Sequence, residues 1–100
     1  MRFDVYTPPR PSRAAFLVEV QSDFVSDLPT KMVIPLVLRE NYRSPIKELH
    51  PILEIAGQLH VLLTHEVGSV QKKQLQRPVG SLMAYRDEIT RALDLLFTGF

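Results

Sequence analysis

The chain has 100 residues, 45% of them hydrophobic and 23% charged, with no cysteine and a formal net charge of +1. That balance describes an ordinary globule with one modest core, without the broad positive footprint of a nucleic-acid binder. The lack of cysteine excludes disulfides, thiolate catalysis and cysteine-based zinc or iron–sulfur sites.

Phe3-Asp4-Val5-Tyr6 alternates and predicts a short first strand. Asp4 interrupts the apolar core that a signal peptide would need, and the longest purely apolar run, Met32 to Leu38, is too short to span a bilayer. A cytoplasmic protein with one domain over residues 1–100 is expected. Thr7 to Ser12 holds three prolines and reads as a stiff loop. Ala15 to Gln21 predicts a strand, with Phe16, Val18 and Val20 on one face and Leu17, Glu19 and Gln21 on the other. Ser22-Asp23 closes that strand, and Ser26 to Pro29 is turn material. Phe24 and Val25 stand between them, apolar residues in a segment that should be exposed.

Met32 to Leu38 predicts a strand covered on both faces, with Pro35 marking an edge, a bulge or a strand end. Ile52 to Ala56, the Gly57-Gln58 turn and Leu59 to His65 read as a hairpin. Gly68-Ser69 should break it, and Val70 to Leu75 should form a last, weaker strand. Lys72, Lys73 and Arg77 cluster, as solvated loop charges do.

Ser81 to Phe100 carries the clearest helical pattern. Leu82, Tyr85, Ile89, Ala92, Leu93 and Leu96 make an apolar stripe, and Asp87, Glu88, Thr90, Arg91 and Asp94 fill the wet face. Asp87 and Arg91 have the spacing of a helical ion pair. Ser81 is placed as N-cap and Gly99 as C-terminal stop. The fold predicted is mainly β, a small bent antiparallel sheet or barrel closed by one C-terminal α-helix. A buried Leu96 would then cost about 2–5 kcal/mol on truncation to Ala. By pattern alone Phe97 and Phe100 pack onto the body or across a dimer seam; the sharper alternative is a contact surface for another protein.

Catalytic signals are sparse. If His60 and His65 share a strand, their odd separation puts them on opposite faces, against a common metal. No Gly-rich phosphate loop or nucleophile elbow is present. Arg13, Glu19, Asp23, Arg39 and His50 are residue types that metal-free RNA cleavage requires, but their spacing selects no set.

Val18-x-Val20-Gln21-Ser22-Asp23, followed by Met32-Val33-Ile34-Pro35-Leu36, resembles the CcdB toxin family of toxin–antitoxin systems. Met1-x-Phe3-x-Val5-Tyr6-Thr7, Arg10-x-Ser12-Arg13, Glu48-Leu49-x-Pro51 with Ile55, and Ile89 through Leu93 with Phe97 and Gly99 extend the resemblance over nearly the whole length. It is weakest from Leu59 to Ser81. The resemblance implies an SH3-like barrel of the CcdB/Kid type, a homodimer, no cofactor, no catalysis by the toxin, and no direct sequence-specific nucleic-acid binding. The implied partners are the A subunit of DNA gyrase, trapped on cleaved DNA, and a cognate antitoxin. It also reverses the packing account of the aromatics. The implied gyrase-binding residues are Phe24, Val25, Asp94, Phe97, Thr98, Gly99 and Phe100. Thr98 stands where the family has a Trp, Asp94 replaces a neutral amide, and Phe100 is bulkier than the usual aliphatic residue. The loss of the Trp leaves a different protein target as one alternative; a second is an endoribonuclease, since the resemblance extends to toxins of the same barrel that cut RNA.

Overall fold

The computed structural model describes residues 1–99. Seven strands form one antiparallel sheet, curled into a half-barrel and followed by a single α-helix. They are β1 (Asp4–Tyr6), β2 (Phe16–Glu19), β3 (Thr30–Leu38), β4 (Ile52–Ile55), β5 (Gln58–Leu62), β6 (Gly68–Gln71) and β7 (Gly80–Ser81); α1 is Arg86–Thr98. The order across the sheet is β4-β5-β3-β2-β1-β7, with β6 also paired to β3.

The long central strand explains Pro35, which lies neither at an edge nor at the end of its strand. β6 pairs with Thr30 to Val33 and β5 with Leu36 to Leu38, so Pro35 falls where β3 changes partner. Its carbonyl accepts from the Leu63 N–H at 2.9 Å. The missing proline N–H therefore falls where β5 ends, and the proline is tolerated inside the sheet. As expected, β3 is covered on both faces, with Val33, Ile34, Leu36 and Val37 all buried.

The expected hairpin forms between β4 and β5, but its turn is Ala56-Gly57 rather than Gly57-Gln58, because Gln58 opens β5 opposite Ile55, and β5 stops at Leu62 rather than His65. Ala56 and Gly57 both take positive φ, 54° and 78°, the two-residue turn whose twist matches a hairpin. β6 begins at Gly68, so Gly68-Ser69 starts a strand rather than breaking one, and 72–75 leave the sheet through a 3-10 turn. β7 was not foreseen; two residues carry too little pattern, and its pairing with β1 places it in the sheet.

The main core gathers Val5, Val18, Ile34, Leu36, Leu53, Leu62, Leu82 and Ile89. The helix thus covers the apolar face through Ile89, with Tyr85 and Leu93 packed beside it. Leu96 is only half-buried and lies outside this cluster, so it is not the anchor its spacing suggested. The helix also starts later than expected. Leu82 N–H donates to Phe3 O at 2.8 Å, keeping the chain in the sheet. Ser81 is not the N-cap of α1: its Oγ accepts from Met83 N–H at 3.2 Å, ahead of a 3-10 turn (Met83–Tyr85) that precedes the helix. Gly99 ends the helix as predicted, at φ 81° with its N–H on Leu95 O at 3.1 Å. The ion pairs among the described residues do not include Asp87 with Arg91.

Candidate functional site

Asp94, Phe97 and Thr98 are spaced by three and four residues, so α1 brings them onto one face near its C-terminus. Asp94 and Thr98 are exposed, and Phe97 is 69% exposed. Thr98 Oγ1 donates to Asp94 O at 2.6 Å, which satisfies a late helix carbonyl and holds the Thr98 side chain against the helix. Gly99 is exposed as well. Phe100, the last residue implied by the resemblance, lies outside the described residues.

Phe24 and Val25 occupy a separate 3-10 turn, Asp23–Val25. Phe24 is fully exposed and Val25 is 43% exposed. The turn is held from every side. Ser22 Oγ accepts from Phe24 N–H at 3.2 Å, and Gln21 Nε2 donates to Val25 O at 2.9 Å. Asp23 Oδ1 accepts from the Arg2 N–H at 3.0 Å, and Lys72 Nζ donates to Ser26 O at 3.1 Å. With the backbone so pinned, a partner covering the Phe24 ring has to order the side chain alone and not the turn. Among the described residues no hydrogen bond or ion pair joins this turn to α1. The structure thus exposes apolar side chains at both places, Phe24 and Val25 on the turn and Phe97 on the helix end.

The residue types that RNA cleavage would need are dispersed into other work. Glu19 is wholly buried, its Oε1 accepting from the Met1 ammonium and from Tyr6 Oη, both at 3.1 Å. Glu19 Oε2 faces Lys31 Nζ at 3.2 Å, a charge contact without hydrogen-bond alignment. Burial, and then the Glu19 charge, push the Tyr6 hydroxyl up to about 12. Arg13 pairs with Glu66, Asp23 caps Arg2, and Arg39 donates to Tyr42 O at 2.9 Å.

The histidines do not sit as the sequence suggested. β5 ends at Leu62, so His65 is not on the strand of His60 but in a 3-10 turn, Thr64–Glu66. His60 is buried, with Nδ1 at 3.0 Å from Gln58 O and its ring edge-on to Phe16. His65 instead meets His50, with Nδ1 at 2.8 Å from His50 Nε2. Burial, and then the His65 charge, hold His50 below the ordinary imidazole range, opposed by Glu66. Sequence reading missed this pair because the residues lie in different loops. No group of three metal-ligating side chains occurs among the described residues. A groove of about 570 Å³, lined by Pro29, Thr30, Gln71, Lys72 and Lys73, holds no acid–base pair.

The family model described as CcdB protein matches residues 2–99. The chain belongs to the CcdB family. CcdB proteins are toxins of toxin–antitoxin systems, and the curled antiparallel sheet with one C-terminal helix agrees with the CcdB fold. No helix among the described residues is long and apolar enough to cross a membrane.

Proposed function

We propose that residues 1–100 act as a single toxin domain that binds the A subunit of DNA gyrase, traps the enzyme on cleaved DNA, and is neutralised by a cognate antitoxin. The observation that carries this reading is the exposure of Phe97 on the helix end and of Phe24 on its pinned turn. Large aromatics that the fold leaves uncovered are the residue type on which binding energy concentrates. The contact set is Phe24, Val25, Asp94, Phe97, Thr98, Gly99 and Phe100. The toxin makes or breaks no bonds itself and needs no cofactor. It works in the cytoplasm, as a homodimer with a dimer mass at micromolar concentration.

The deciding experiment adds purified protein to gyrase and follows supercoiling and the cleaved-DNA complex, with and without deletion of residues 98–100. Unimpaired supercoiling, with no cleaved DNA stabilised, refutes the proposal.

A second reading keeps the fold and changes the target. It is favoured by Thr98, whose hydroxyl is bonded back to Asp94 O and cannot offer the broad stacking face of a Trp. A pull-down that recovers another protein and no gyrase would support it. RNA cleavage has no comparable observation behind it, and an RNA assay without metal that shows no product disposes of it.

A further inference from the structure

The connection between β3 and β4, residues 39–51, is held down near its end by one side chain. Ile46 N–H donates to His50 Nδ1 at 2.9 Å, and His50 N–H donates back to Ile46 O at 2.8 Å. Nδ1 therefore presents a lone pair, and the neutral ring carries its proton on Nε2. That proton points at His65 Nδ1, 2.8 Å away, so this nitrogen also accepts. The His65 proton then sits on Nε2, 3.6 Å from Glu66 Oε2, which is itself 3.0 Å from Arg13. One line thus runs from the 39–50 loop to the Thr64–Glu66 turn, the same turn that packs against α1.

A further proton has no place on this line. On His50 Nδ1 it evicts the Ile46 N–H; on His65 Nδ1 it sets two N–H groups face to face. His50 is buried, so a charge there is also poorly solvated. The groups facing the pair are the Tyr42 ring edge-on at 5.5 Å, Glu66 and Arg13. Glu66 is already engaged by Arg13, which limits what it offers a second cation.

We propose that the His50–His65 contact is an acid-released latch, closed while one proton lies between the rings and opened, with the 39–50 loop leaving the Thr64–Glu66 turn, when a second proton arrives. The closed state binds fewer protons than the open one. Closure is therefore complete above the ordinary imidazole value near 6.5 and is lost as pH falls toward the lowered value of His50. For one proton, the opening constant rises by up to about thirtyfold between pH 7.5 and pH 5.

The test is NMR on the whole protein. Ring nitrogen signals at pH 7.5 should show both His50 and His65 protonated on Nε2. Amide exchange at Ile46 and His50, corrected for the intrinsic pH dependence, should lose protection on acidification while Ile34 in β3 keeps it. In His50→Gln a carboxamide oxygen can still take the Ile46 N–H but does not titrate, so the acid response should vanish. His65→Gln should weaken it. Any of three results overturns the latch: a His50 ring protonated on Nδ1 with the loop closed, loop and β3 amides opening together, or an unchanged response in His50→Gln. If that variant does not fold, the wild-type tautomer and the loop-versus-β3 comparison still decide.

Discussion

Glu19 Oε2 lies 3.2 Å from Lys31 Nζ, and both side chains are buried between β2 and β3. On this face the ion pair sits beside Val33 and a second apolar cluster of Val37, Val61 and Leu63, while the opposite face is held by Val18, Ile34 and Leu36. Two buried charges tolerate one another and tolerate little else. Lys31→Met leaves a buried carboxylate with only Tyr6 and the Met1 ammonium, and should cost about 3 kcal/mol in urea denaturation. Pairing it with Glu19→Gln should recover part of that loss. A double mutant no more stable than Lys31→Met would show that the two charges are not coupled.

Burial separates two residues of the same helical stripe. Ile89 is fully buried and belongs to the main core, whereas Leu96 is half-buried and lies outside it. Ile89→Ala should therefore cost about 2–5 kcal/mol. Leu96→Ala should cost clearly less, since it leaves a smaller void. Equal shifts in the denaturation midpoint would contradict the helix packing.

Tyr6 provides an alkaline signature. Its hydroxyl donates to Glu19 and is pushed up to about 12, first by burial and then by that carboxylate. The folded state holds this proton where the unfolded state, near 10, has released it. The Tyr6 contribution is complete below the unfolded value and is lost as pH rises from about 10 to about 12. Tyr6→Phe should remove one phenol that ionises at unusually high pH from the ultraviolet titration and flatten the alkaline loss of stability.

Phe97 and Phe24 should matter for binding and hardly at all for folding. Both are exposed, so Ala at either position should change stability by no more than about 0.5 kcal/mol. If they anchor the gyrase contact, each truncation should weaken binding by about tenfold or more, read by calorimetry on the isolated A subunit. Unchanged affinity in both variants would move the contact elsewhere.

Thr98→Trp tests the same surface by gain. The exchange gives up the 2.6 Å bond to Asp94 O at a helix end and supplies an aromatic face. Gyrase affinity should rise, with the helix content seen by circular dichroism retained. Weaker binding with the fold intact would show that an aromatic face at residue 98 does not set gyrase affinity in this chain.

Local pattern was enough for the strand alternation from Phe16 to Val20, a hairpin reversing near Gly57, the stop at Gly99 and the helix stripe through Ile89. Each depends on residues within a turn or two of each other, so spacing carries the information. Family membership was also legible, because its motifs are spread along the chain. Phe24 and Phe97 could be named as apolar residues out of place, but whether the fold would cover them depends on residues distant in sequence.

Tertiary structure alone decided the rest. It set Pro35 at the change of partner between β6 and β5, drew Gly80-Ser81 into the sheet, and left Leu96 half-buried. It also buried Glu19 against Lys31 and brought His50 to His65 across fifteen positions of sequence. Burial and partner choice are sums over contacts that close through space, and no periodicity along the chain encodes them.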